Sequence, residues 1–108
     1  MVIEKKSSTH EVDHALKHEA DFKVEARRNR LLGLWAAERL RLSGEEAEAY
    51  AKEVVVSDLD EPGEEDVVRK VKGDFDKRGV SLDEGELRHM MKELRAVARQ
   101  QVESEDDE

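Results

Sequence analysis

"FKVEARRNRLLGLWAAERLR", residues 22–41, decides the fold of this chain. Its apolar residues recur at helical spacing, and from Leu31 through Ala37 the segment is apolar nearly all the way round a helix. A helix tolerates that only where neighbours cover most of its surface, so this segment is read as the first and central helix of a bundle.

Working outward, Ser43 and Glu46 have the spacing of a capping box, which predicts a second helix beginning there with Ala47, Tyr50, Ala51, Val54 and Val55 on its apolar side. It should fade before "DLDEPGEED", where Pro62 and Gly63 break it. A third helix is expected from about Glu64 to Lys77, with Val67, Val68, Val71 and Phe75 as its stripe. Gly79 then forms a left-handed cap, with Val80 packing back on Phe75. Ser81 and Glu84 repeat the capping-box spacing, and Leu87, Met90, Met91, Leu94 and Ala98 mark a fourth helix to about Val102. Five pairs place an acid four residues before a base: Glu19 with Lys23, Glu48 with Lys52, Glu65 with Arg69, Asp66 with Lys70, and Glu84 with Arg88. Each supports a helix by only about 0.2–0.5 kcal/mol. A mixed α/β fold would have to recruit "EVVVS" as a strand, and a lone buried strand has no partner here. The expectation is an all-α, small four-helix bundle. Residues 1–19 form a mobile N-terminal segment with a possible inhibitory helix, 20–102 the four-helix domain, and 103–108 an acidic tail.

Composition agrees. The chain has 108 residues, 44% charged and 37% hydrophobic, so its apolar residues must lie on narrow stripes, as in amphipathic helices. Six glycines and one proline leave little material for the turns of an all-β protein. A net charge of −9 argues against binding nucleic acid or anionic lipid through the whole surface. The absence of cysteine removes disulfides and thiolate chemistry, and suits a reducing compartment. No window approaches the roughly 20 apolar residues that span a bilayer, and no signal-peptide run opens the sequence. A cytoplasmic protein, monomeric when free, is expected.

Three constellations carry possible chemistry. His10-Glu11-Val12-Asp13-His14 fits the H-E-x-x-H pattern of zinc proteases. A catalytic zinc needs a third protein ligand, and the nearest candidate, His18, lies about 12 Å of helical rise from His10. The segment is therefore read as a histidine stripe, open to incidental metal capture by His10 and His14 or to pH sensitivity; no catalytic residue and no resident metal are assigned. Arg27, Arg28 and Arg30 could clamp a phosphate, giving a weak ADP or ATP contact, but ion pairing with the chain's own acids is the preferred reading; no cofactor is expected. The acidic run Asp58, Asp60, Glu61, Glu64, Glu65, Asp66 lacks the ligand pattern of a calcium loop and reads as a loop feeding a helix N-terminus. Trp35 and the Met90-Met91 pair read as core.

The blocks "EARRNRLLGLWAAE", "AYAKEVV" and "EPGEEDV" make residues 22–71 closely similar to the zeta subunits of alphaproteobacterial ATP synthases, and the similarity continues through "RGVSLDEGELRHMMKELRAVARQQ". The resemblance implies a four-helix protein. It also implies that an N-terminal segment, ordering as a helix on binding, enters the synthase's soluble head between alpha and beta subunits near gamma and blocks ATP hydrolysis. On this chain the corresponding contacts would be Val12, Ala15, Leu16 and Phe22, with His14, Lys17 and His18 as polar flanks. Family N-termini typically open on a phenylalanine and a mixed acidic and basic run; this chain has "MVIEKKSSTHEVDHALKHEAD" instead and aligns from about Ala15. The alternative from the residues alone is a small helical nucleotide-binding or scaffold protein.

Overall fold

In the computed structural model the chain forms α1 (Val2–Arg39), α2 (Glu45–Ser57), α3 (Glu65–Lys77) and α4 (Glu84–Asp106). The structure describes residues 2–59 and 63–106, with side chains for 21–59 and 63–105. The described residues contain four helices and no strand, an all-α bundle. Asp60, Glu61 and Pro62, read as part of an acidic helix-breaking loop, lie outside the described residues.

α1 is the organising element. Proline is absent from it and its one glycine, Gly33, falls late, so nothing interrupts the hydrogen-bond ladder over 38 residues, about 57 Å. It begins at Val2, well before the strong periodicity that starts at Phe22. It packs against α2 and α4, and α3 completes the ring by touching both. Leu32, Ala36, Ala37 and Leu40 of α1 meet Tyr50 and Val54 of α2, Val67, Val68, Val71 and Phe75 of α3, and Leu87 and Met91 of α4. A second cluster joins Val24 of α1 to Ala98 and Val102 near the end of α4. The predicted stripes are thus the core, Trp35 and Met90 packing at its edge.

Gly33 sets how closely α1 and α2 cross. A β-carbon there would lie 2.6 Å from the Ala51 Cα, so the two backbones approach at a distance only glycine allows.

The helix ends show where local reading succeeds and fails. After α3 the Val80 N–H donates to the Phe75 carbonyl (2.9 Å) and the Gly79 N–H to that of Asp76 (3.1 Å), the Schellman arrangement expected, with Val80 against the core. α1 ends in the same way: Leu42 donates to Ala37 (2.8 Å), Arg41 to Glu38 (3.1 Å), and Arg41 takes the left-handed conformation at φ 63°. That tight reversal overturns the Ser43 capping box. The N-cap of α2 is Gly44, at φ 57° and ψ −129°, which glycine enters freely, and no side chain caps the helix. The second capping box is also displaced. Asp83, not Ser81, caps α4, its carboxylate accepting from the Glu86 N–H at 3.0 Å. α4 continues to Asp106, so Glu103, Ser104 and Glu105 of the expected tail are helical.

Of the predicted four-residue ion pairs with described side chains, Glu84 with Arg88 forms, at 3.1 Å. Elsewhere the cations reach other acids, most of them on a second helix: Arg30 to Glu48 (3.1 Å), Lys70 to Glu53 (2.7 Å) and Arg88 to Glu65 (3.1 Å), while Arg69 takes Asp66 at 3.2 Å. These pairs are mostly exposed and individually weak.

Candidate functional site

α4 runs antiparallel to the middle of α1, with Val102 against Val24 and Glu105 beside Arg27, and it ends near Phe22. The turns of α1 that precede Asp21 therefore run on beyond the end of α4. This stretch holds the expected contacts Val12, His14, Ala15, Leu16, Lys17 and His18, whose side chains lie outside the described residues. The helical register still sorts them. At about 100° per residue, Val12 and Leu16 share one face, and His14 and His18 fall about 160° away on the other. The register thus sets the expected apolar contacts Val12 and Leu16 apart from the expected polar flanks His14 and His18.

Phe22 marks the junction. It is 60% exposed, an unusual state for the largest apolar residue on its helix turn. Its ring borders an open groove of about 350 Å³ whose apolar lining includes Ala26, Val55 and Val102, with Arg27 and Arg30 at the edge. Leu59, at the end of α2, is exposed as well.

The three arginines have separate environments. Arg27 donates to both carboxylate oxygens of Glu105 (2.7 and 2.8 Å) and to Gln101 (2.9 Å), tying α1 to α4. Arg30 donates to both oxygens of Glu48 on α2, at 3.1 and 3.2 Å. Arg28 is buried, its side chain 2% exposed; its Nε donates to Asn29 Oδ1 at 2.9 Å and Nη1 to Glu64 Oε1 at 3.3 Å. Each guanidinium therefore engages acids or amides of its own chain, and the three do not converge on one point.

The burial of Arg28 and Asn29 was missed from sequence, although a signal existed. Arg28 lies four residues after Val24 and four before Leu32, in register with the buried stripe. A buried guanidinium is tolerated only when paired, and the end of α2 and start of α3 supply acid around it. Asp58 belongs to this cluster. Burial pushes its carboxyl above the ordinary range, the hydrogen bond with Asn29 and the charge of Arg28 oppose that rise, and Glu25 and Asp66 add to it.

A second polar group lies under α3. Tyr50 is buried with its hydroxyl oxygen enclosed, and Lys70 Nζ sits 5.3 Å from its ring centre while bridging Glu53 (2.7 Å) and Asp74 (2.9 Å). Burial, followed by the negative charge of Asp74, holds the Tyr50 phenol well above the ordinary tyrosine value.

A bundle whose arginines are internally engaged, and whose longest helix continues past its neighbours, defines a small all-α protein that presents a helix. The chain belongs to the family of ATPase inhibitor subunit zeta, whose family model matches residues 1–101. The family is one of regulatory inhibitor subunits. A solution NMR structure is 54% identical, covering 78% of this chain and 95% of its own, with a TM-score of 0.69. No curated protein matches the chain. Among the described residues no helix is long and apolar enough to cross a membrane.

Proposed function

We propose that this protein binds the soluble catalytic head of the ATP synthase in the cytoplasm, peripheral to the inner membrane, and lowers ATP hydrolysis. The N-terminal segment, residues 1–19, acts as the inhibitory element, inserting between alpha and beta subunits near gamma, and residues 20–102 anchor and present it. Membership of the zeta family carries this reading, because the family match extends through the N-terminal residues as well as the bundle. Two observations support it. α1 projects past the end of α4, and the exposed Phe22 leaves an apolar ring at the base of the projection. Val12 and Leu16 supply the apolar contact face, with Ala15 beside it; His14, Lys17 and His18 are polar flanks. Helix-in-groove binding of this kind gains from apolar anchors one turn apart.

The test is ATP hydrolysis by the cognate head with added protein. Full-length protein should lower the rate, and deletion of Met1 through Glu19 should abolish the effect while leaving the bundle folded. If the full-length chain does not bind the head, the reading fails.

A further inference from the structure

Phe22, Ala26 and Arg30 follow one another at four-residue steps on one face of α1, a span of about 12 Å. Ala26, small and half-buried, is the low point of that row, and Val55 of α2 and Val102 of α4 wall it. These residues form the open groove of about 350 Å³, with Lys23, Arg27 and Arg30 along its edge. We propose that the groove docks a short acidic amphipathic helix of a partner protein, lying along α1 with an apolar side chain seated over Ala26.

Shape selects a helix. Helices pack at interaxial distances of about 8–10 Å when the side chains of one enter gaps on the other, and a small residue between two large ones offers such a gap. A span of about 12 Å matches about two helical turns, so anchors one turn apart on the incoming helix fit it. Phe22, 60% exposed, supplies apolar surface at one end of the row. Val56 and Leu59, exposed to a similar degree, extend that surface along α2 from Val55.

Charge selects an acidic helix. Arg27 and Arg30 are held by Glu105 and Glu48, whose own side chains are more than half exposed, at 57% and 53%. Such pairs contribute little to stability, and a guanidinium carries five donors, so each arginine can take a partner's carboxylate beside its own or in exchange for it. Lys23 adds a third cation at the edge. On a chain of net charge −9 this is a local reversal of sign, which steers an acidic segment to this face. A second copy of the chain is disfavoured as the occupant, since it brings the same net charge and, across a two-fold contact, the same cations. The groove is built from side chains of the bundle and is independent of the inhibitor reading, so either can fail while the other stands.

The experiment is NMR titration of the full-length chain with two synthetic peptides of about 18 residues, above the length at which isolated helices are marginal. Both carry the same leucine stripe at helical spacing; the opposite face is glutamate in one and lysine in the other. The glutamate peptide should shift the amides of Lys23, Ala26, Val55 and Val102, and should bind there at least about tenfold more tightly than the lysine peptide. Net charge works in the opposite direction, drawing the lysine peptide to the acidic surface at large, so non-specific attraction cannot produce this preference. Ala26→Gln raises the floor of the groove with a good helix former and should weaken the glutamate peptide by about tenfold or more. Lys23→Glu changes an exposed residue, leaves the fold intact and should weaken the same peptide severalfold. No shift with the glutamate peptide, shifts confined to other faces, equal or tighter binding of the lysine peptide in the groove, or undiminished binding by Lys23→Glu would overturn the proposal.

Discussion

Gly33→Ala offers a direct test of the packing. In solvent this change would stabilise a helix by about 1 kcal/mol, because alanine is the better helix former. Here the added carbon would lie 2.6 Å from Ala51 Cα, 3.2 Å from Ala51 Cβ and 3.4 Å from the Ala51 nitrogen. Ordinary carbon contacts sit at about 3.5–4.0 Å, so α1 and α2 would have to part by about 1 Å at their crossing. The nearest atom is backbone and cannot swing away, which places the overpacking cost near the upper end of the usual range, about 3 kcal/mol. Subtracting the propensity gain leaves a net loss of about 2 kcal/mol, or a fall in Tm of about 8 °C at about 4 °C per kcal/mol. Gly73→Ala is the control: it lies in α3, and its β-carbon would meet nothing within 4 Å. That variant should gain up to about 1 kcal/mol from propensity alone. Urea unfolding followed by circular dichroism and by the fluorescence of Trp35, the only tryptophan, measures both. If Gly33→Ala is as stable as Gly73→Ala, the close crossing is refuted.

Further expectations concern single residues. Arg41 holds a left-handed conformation without being glycine, so Arg41→Gly should stabilise the fold by about 0.5–1 kcal/mol, read as a higher urea midpoint. Arg28→Ala removes a buried guanidinium and strips Asn29 Oδ1 of its donor; a loss of about 2–4 kcal/mol is expected in the same assay. Arg30→Ala breaks an exposed pair with Glu48 and should change stability by less than about 0.5 kcal/mol. Tyr50 gives a pH dependence of definite sign. Its folded-state pKa is raised, so its contribution is fully present below the unfolded tyrosine value of about 10 and is lost as pH rises above it toward the folded value. Stability should therefore fall between pH 9 and 11, and the slope should diminish in Tyr50→Phe. As the chain's one tyrosine, its tyrosinate absorbance should appear only as the protein unfolds.

The family blocks around Arg27, Arg28 and Arg30 and the four-residue spacing of the histidines are visible in one dimension, as is the grouping of Val12, Leu16 and Phe22 as expected contacts. What each arginine touches was not. Arg27 meets Glu105 across 78 positions and Arg28 meets Glu64 across 36, partners that no local window contains.

By itself the sequence determined that the chain is all-α, how many helices it forms, which stripe of each is apolar, and that α3 stops in a glycine-capped turn at Gly79. These follow from a 3.6-residue period and from hydrogen bonds spanning at most six residues, which are local quantities. Tertiary structure alone decided the rest. It made Gly33 the contact point of α1 and α2, buried Arg28 among acids from the α2–α3 region, and gave Glu48, Glu65 and Lys70 partners on a second helix. It also moved two helix caps by one or two residues, because the reversal after α1 and the start of α4 must suit the packing of their helices. Side chains four residues apart on a helix compete with any acid that a second helix brings equally near, and only the packed arrangement determines which one is reached.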